Sequence, residues 1–231
     1  MTYLQANEGK QLRIKLGEQS YERWPIKTHV ITKEDDIVDV VNTYALSHMK
    51  EGDMLFISER VVAITQGRSI PIAEIVPSKL AKFLVRFVHK SPYGIGLASP
   101  WTMQLAFDEV GHARMLCAAL VAAITKPFGI KGMFYRVAGR KIAAIDGPCD
   151  YTLPPYNKNA TLAPLHPYKV ANQIKKEIKH EVVIIDANDL GVDILGHSDH
   201  AGEKTQLAKI FKDNPLGQSS EQTPLCIVRK E

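Results

Sequence analysis

The chain has 231 residues, 45% of them apolar and 23% charged, with a formal net charge of +4. That content is enough to bury a substantial core in one large domain or two small ones, which excludes a disordered or fibrous chain. The weak positive charge is spread out, with no basic cluster interleaved with aromatics, so a nucleic-acid partner is not expected. Cys117, Cys149 and Cys226 lie far apart without C-x-x-C spacing, which argues against a disulfide framework or a cysteine-rich zinc site and suits a reducing compartment. The N-terminal MTYLQANEGKQLRIKL has no apolar core of signal-peptide length, and the longest apolar stretch, Met115 to Thr125, is too short to span a bilayer. The expectation is a soluble cytoplasmic protein with no membrane partner.

In chain order, alternation in QLRIKLG and IKTHVI predicts two early strands. Helical spacing in EDDIVDVVNTYALSHM predicts a helix capped by Thr32 or Asp35. GDMLFISERVVAITQGR reads as a Gly-Asp turn, a strand, a polar interruption at Ser58 to Arg60, and a second strand ending at Gln66-Gly67. Pro77-Ser78 opens a predicted helix with Leu80, Phe83, Leu84 and Phe87 on one face. The Gly, Pro and Ser of SPYGIGLASP at 91–100 mark a flexible segment or domain border, so a smaller middle subdomain around 91–140 is expected within one domain spanning 1–231. One or two helices broken near Gly111 follow, then GMFYRVAG and KIAAID as strands. Pro167 starts a helix that feeds the strand VVIID, and the tail reads as helix EKTQLAKIF, loop DNPLGQSSEQTP and strand LCIVR. The sum is an α+β, mixed sheet-and-helix fold.

Three segments combine carboxylates or amides with glycine or proline beside apolar runs: KIAAIDGPCD at 141–150, VVIIDANDLG at 182–191 and KDNPLGQSSEQTPLCIVR at 212–229. A carboxylate at a strand end can bring a divalent ion and a phosphate together, so the three point to metal-assisted phosphate chemistry. Asp146 reads as a metal ligand or a turn cap, Asp186 as a ligand or a strand-end Asp bonded to backbone N–H groups, and Asp189 as a ligand or a turn residue. Arg60, in an apolar strand context, calls for an anionic partner such as phosphate or an exit to solvent; Arg68 is a weaker case of the same choice. His197-Ser198-Asp199-His200 reads as a solvated loop, Cys117 as a core residue, and the Gly-x-Gly at 94–96 lacks the remaining spacing of a dinucleotide-binding loop.

The order of these motifs resembles the coenzyme F420-0:gamma-glutamyl ligase family from about Ile26 onward. The carriers are IKTHVITKEDDI at 26–37, GDMLFISERVVAITQGR at 52–68, VPSKLA at 76–81, AAIDG at 143–147, LAPLHPYKVANQI at 162–174, VVIIDANDLG at 182–191 and GQSSEQTPLCIVR at 217–229. The resemblance implies a gamma-glutamyl ligase-like fold, an intertwined homodimer, GTP (or ATP) and Mg2+ or Mn2+ as cofactors, and an amide bond formed between L-glutamate and a carboxylate-bearing small molecule. It implies catalytic roles for Arg60 and Asp146, nucleotide contacts from Arg60, Arg68, Asn188, Gly191 and Gln218, and metal contacts from Asp146, Asp186 and Asp189. Gly147-Pro148-Cys149 and Val192 to Leu195 depart from the family pattern in stretches read as substrate-facing loops. The same chemistry on a folate or pterin acceptor, and a non-catalytic small-molecule binder, are the alternatives.

Overall fold

The computed structural model describes residues 4–88, 96–188, 191–217 and 220–231. In chain order, β1 (Arg13–Leu16) and β2 (Gln19–Ile26) precede α1 (Ile37–Tyr44), β3 (Met54–Ser58), α2 (Glu59–Thr65) and β4 (Ser69–Pro71). The helices α3 (Lys79–Leu84), α4 (Pro100–Val110), α5 (His112–Thr125), α6 (Met133–Ala138) and α7 (Arg140–Ala143) follow, then β5 (Asn159–Thr161). The chain closes with α8 (Pro167–Ile178), β6 (Glu181–Asn188), β7 (Gly191–His197), α9 (Lys204–Ile210) and β8 (Leu225–Lys230). The α+β expectation holds. Contacts divide the chain into two units, the first Met1–Gly67 with Pro164–Glu231, the second Arg68–Ala163.

The first unit is built on a six-stranded sheet in the order β1-β2-β8-β3-β6-β7. Only β3 and β6 pair in parallel; the other neighbours are antiparallel. Leu55 to Ile57 and Val182 to Ile185 are fully buried runs, as a central strand covered on both faces requires. Helix α8 packs on β6 and β7, and α9 on β7 and β1. On the face that holds α9, Phe56 stacks on Phe211 at 4.3 Å among Val183, Ile185, Leu207 and Ile210. Gly196 lets β7 press against the start of α8, since a Cβ there would fall 2.5 Å from the Pro167 carbonyl carbon.

Several local expectations are corrected. The second strand is QSYERWPI, ending at Ile26 instead of covering IKTHVI; its Glu22 and Arg23 disguise an alternation whose inward side is Tyr21, Arg23 and Pro25. The cap of α1 is Asp36, whose carboxylate accepts from the Val38 and Asp39 N–H groups, while Asp35 accepts from the Thr32 N–H at 2.7 Å. ERVVAIT forms α2 and not a strand: its β-branched residues favour extended chain locally, but Val61 to Ile64 are all buried and Gly67, at φ +70°, ends the helix. Val192 to Leu195 is strand and not loop, and Ile194 points into the core. His197 ends that strand, and Ser198 is fully buried, accepting from the Val182 N–H at 2.9 Å and donating to Glu181; only Asp199 and His200 of that quartet are exposed.

Arg23 is the unit's one fully buried cation among the described residues. Its guanidinium grips Asp213 through both terminal nitrogens and donates to the Ile210 and Gln11 carbonyls at 2.8 and 2.6 Å. The fork geometry of the side chain matches this set of acceptors, which is how a strand residue facing the core keeps its charge.

The second unit gathers Met103, Phe107, Met115, Ile142 and Ile145 into a helical core, beside the two-stranded pair β4–β5. The break between α4 and α5 falls at Gly111, φ +82°, as expected. GMFYRVAG and the start of KIAAID are helices α6 and α7, not strands: glycines at positive φ, Gly132 and Gly139, cap them and outweigh the aromatic and β-branched content. Leu80 and Leu84 of α3 pack on the core, while Phe83 and, in the 3-10 turn after the helix, Phe87 are exposed. Cys117, expected in the core, is exposed on α5; a helix apolar all round does not reveal which side is covered. Of the 91–100 stretch, residues 91–95 lie outside the described residues.

Candidate functional site

In the first unit, one end of the sheet collects several expected site residues. Ser58 pairs with Ile185, and Ile57 and Ile26 both pair with Leu225. The outgoing ends of β2, β3 and β6 and the incoming end of β8 therefore share one edge, the edge where open sheets bind ligands. Arg60 stands there in the first turn of α2, half-buried, one residue after the buried Glu59; its strand context is overturned, but its place at the edge follows from the β3–β6 register. Asp186 follows Ile185 directly. It is not at the strand end, because β6 runs on to Asn188 and pairs Asp186 with Asp193. Asn188 accepts from the Gly191 N–H at 3.1 Å, closing β6 onto β7. Asp189 and Gln218 lie outside the described residues.

The same edge is braced from both sides. Thr28 donates its N–H to the Gln222 carbonyl at 3.2 Å and accepts from the Gln222 side chain at 2.6 Å, while Ser58 donates to the Pro224 carbonyl at 2.8 Å. Next to it, His29 bridges Tyr44 at 2.9 Å and Asp35 at 3.1 Å. The Thr32 N–H, with a further contribution from His29, holds the Asp35 carboxyl below the usual carboxylate range. Gln66 mimics a backbone pair, accepting from the Leu165 N–H at 2.6 Å and donating to its carbonyl at 3.0 Å.

In the second unit, Asp146 follows α7 and Ile145 instead of ending a strand, and it forms an isolated bridge with Thr161: N–H to carbonyl at 2.9 Å one way and 2.8 Å the other. Thr161 pairs on its other side with Ser69. Directly opposed residues put their side chains on one face, so Asp146, Thr161 and Ser69 form a row across three segments. Asn159, two residues from Thr161, joins the same face, its amide donating to the Ser69 hydroxyl at 3.1 Å. Arg68 adjoins this ladder, donating to the Ala163 carbonyl at 2.6 Å and to Glu109 at 2.9 Å, with Lys141 3.9 Å from the same carboxylate. Ser69, Asn159 and Thr161 escape sequence reasoning; the one signal was a polar-apolar-polar triplet, NAT at 159–161, too short to read as a strand.

The donor set is oxygen: carboxylates, hydroxyls and an amide carbonyl suit hard cations such as Mg2+ or Mn2+. Among the described residues no three His, Cys, Asp or Glu side chains gather into a cluster able to hold a metal ion. Burial pushes the Cys226 thiol up, so it stays protonated and is no nucleophile.

The family described as F420-0:Gamma-glutamyl ligase matches residues 25–210, well over half of the chain. The chain belongs to the F420-0:gamma-glutamyl ligase family. The match spans both units and takes in Arg60, Arg68, Asp146, Asp186, Asn188 and Gly191. No curated protein matches the chain. Among the described residues no helix is long and apolar enough to cross a membrane.

Proposed function

We propose that this family member joins L-glutamate to the carboxylate of a small molecule through a gamma-glutamyl-type amide bond, using GTP or ATP and Mg2+ or Mn2+. The observation that carries the reading is the family match over residues 25–210. An amide cannot form from a carboxylate and an amine without activation. In this reading the nucleotide's terminal phosphoryl group passes to an acceptor carboxylate oxygen as the nucleoside diphosphate leaves, the glutamate amine attacks the acyl carbon of that acyl phosphate, and inorganic phosphate leaves as the amine gives up a proton. Asp146 in the second unit and Asp186 and Asp189 in the first are the proposed oxygen ligands for metal, which when bound would offset the charge on the phosphate oxygens. Arg60 meets the phosphates with its donor fork. Asn188, which accepts from the Gly191 N–H, Gly191 itself and Gln218 are the proposed further nucleotide contacts of the first unit, and Arg68, its guanidinium paired with Glu109, that of the second.

Acceptor choice follows from Gly147-Pro148-Cys149, which replaces the family pattern directly after Asp146 with small and apolar residues. Val192 to Leu195 is strand with Ile194 in the core, not a substrate-facing loop. A site with fewer donors leaves a phosphate-bearing acceptor short of partners, at about 1–3 kcal/mol for each unpaired group. A flatter, less anionic acceptor such as a pterin is favoured. The protein, incubated with glutamate, GTP or ATP, Mg2+ or Mn2+ and either deazaflavin coenzyme or dihydropteroate, is expected to give a glutamyl product on the pterin by mass spectrometry. Efficient glutamylation of the deazaflavin would restore the parent acceptor, and the absence of product and phosphate release with both would favour a binding protein.

A homodimer is part of this reading. Helix α5 presents Leu116, Leu120 and Ile124 outward, Leu120 at 62% exposure, with no charged residue between Arg114 and Lys126. A second copy suits such a face, because antiparallel two-fold pairing centred on Leu120 sets Leu116 against Ile124 of that copy. Leu120→Asp is expected to shift sedimentation from dimer to monomer, and a short bifunctional thiol reagent to cross-link wild-type copies through the exposed Cys117. A wild-type monomer would remove the dimer from the reading.

A further inference from the structure

We infer that Thr161 is a positioning residue for Asp146, the last link of a one-way hydrogen-bond row Asn159–Ser69–Thr161–Asp146; the inference rests on the metal reading above and extends it. Thr161 is the centre strand position, bridged to Asp146 on one side and paired with Ser69 on the other. The three side chains share a face, and opposed residues of such a ladder hold their Cβ atoms about 5 Å apart, within reach of a hydroxyl and a carboxylate. Asn159 and Thr161 are only 8% and 7% exposed, so their polar groups are settled within the protein.

The direction of the row follows from what each group can give. The Asn159 amide nitrogen only donates, and it donates to the Ser69 oxygen. Ser69 and Thr161 lie 3.0 Å apart, where either hydroxyl can be the donor. Each hydroxyl has a single proton. An ionised carboxylate accepts only, and a bond to it is about twice as strong as one between neutral groups, so the Thr161 proton goes to Asp146. The Thr161 oxygen is then left to accept from Ser69, and Ser69 to accept from Asn159. Every member gives one proton and the row ends on the charge. A carboxylate oxygen held in this way fixes the rotation of the group, as hydrogen-bonded carboxylates are fixed beside metal ions.

The role differs from that of a ligand, since Thr161 acts through Asp146. The test is Mn2+ binding to the full chain, followed by electron paramagnetic resonance without substrate. Thr161→Val keeps the shape and removes the proton, and is expected to weaken Mn2+ binding by roughly 10–100-fold, the usual effect of losing a partner behind a metal ligand. Thr161→Ser should restore binding to the wild-type level, and Ser69→Ala should weaken it less than Thr161→Val. Thermal unfolding of each variant separates loss of fold from loss of positioning. Wild-type Mn2+ affinity in Thr161→Val would overturn the inference, as would a Thr161→Ser variant as weak as Thr161→Val, which would make the methyl group and not the hydroxyl the important part. If wild type and variants alike bind no Mn2+, the metal reading of Asp146 falls and this role with it, a pattern distinct from binding that is merely insensitive to residue 161.

Discussion

Asp146→Asn is expected to remove metal-dependent turnover, lowering kcat/KM on the order of 100-fold, or about 2.7 kcal/mol at 1.36 kcal/mol per decade. The substitution keeps the size of the side chain and its bridge to Thr161, which uses only backbone groups. What it removes is the negative charge, and a neutral amide oxygen holds a hard cation far less well. Calorimetric titration with Mn2+ and nucleotide should show the loss directly; unchanged binding would mean that Asp146 is not a ligand. The companion variants Asp186→Ala and Asp189→Ala are expected to differ strongly in turnover and metal affinity, one abolishing turnover and the other mild. Equal and mild effects would exclude the stretch around 186–191 from coordination.

The second large effect is on stability. Asp213→Ala is expected to destabilise the protein by about 3 kcal/mol, the lower end of the range for breaking a buried ion pair, because the Asp213 side chain is 34% exposed while Arg23 is fully buried. The loss comes mainly from Arg23, which keeps its carbonyl partners but is left with an uncompensated buried charge. Burial alone would raise the Asp213 carboxyl; the Arg23 hydrogen bonds and charge outweigh it and hold the group below the usual carboxylate range. A depressed folded-state value means the stabilisation is present above the unfolded value, about 3.9, and is lost as pH falls through the folded one. Urea unfolding should therefore show the wild-type advantage over Asp213→Ala in full at pH 7 and shrinking below about pH 4. An advantage independent of pH would assign the effect to packing.

The edges of the fold were legible wherever one physical rule acted alone. Pro167 opening α8, Ser78 capping α3, Gly111 breaking α4 from α5, and the apolar runs of β6 and β8 all follow from backbone chemistry or from burial of a continuous strand. The motif order also pointed to the family to which the chain belongs. Where local preference and tertiary packing pulled apart, packing won. β-branched ERVVAIT became a helix because it is buried on nearly all sides beside β3, and charged QSYERWPI became a strand because Asp213, almost 200 residues away, neutralises Arg23. Asp146 and Asp186 were marked by sequence, but their surroundings were not. That Thr161 stands between Asp146 and Ser69, and that Arg60 and Asp186 share a sheet edge, depends on strand register, which pairs residues distant in the chain and leaves no trace in local composition.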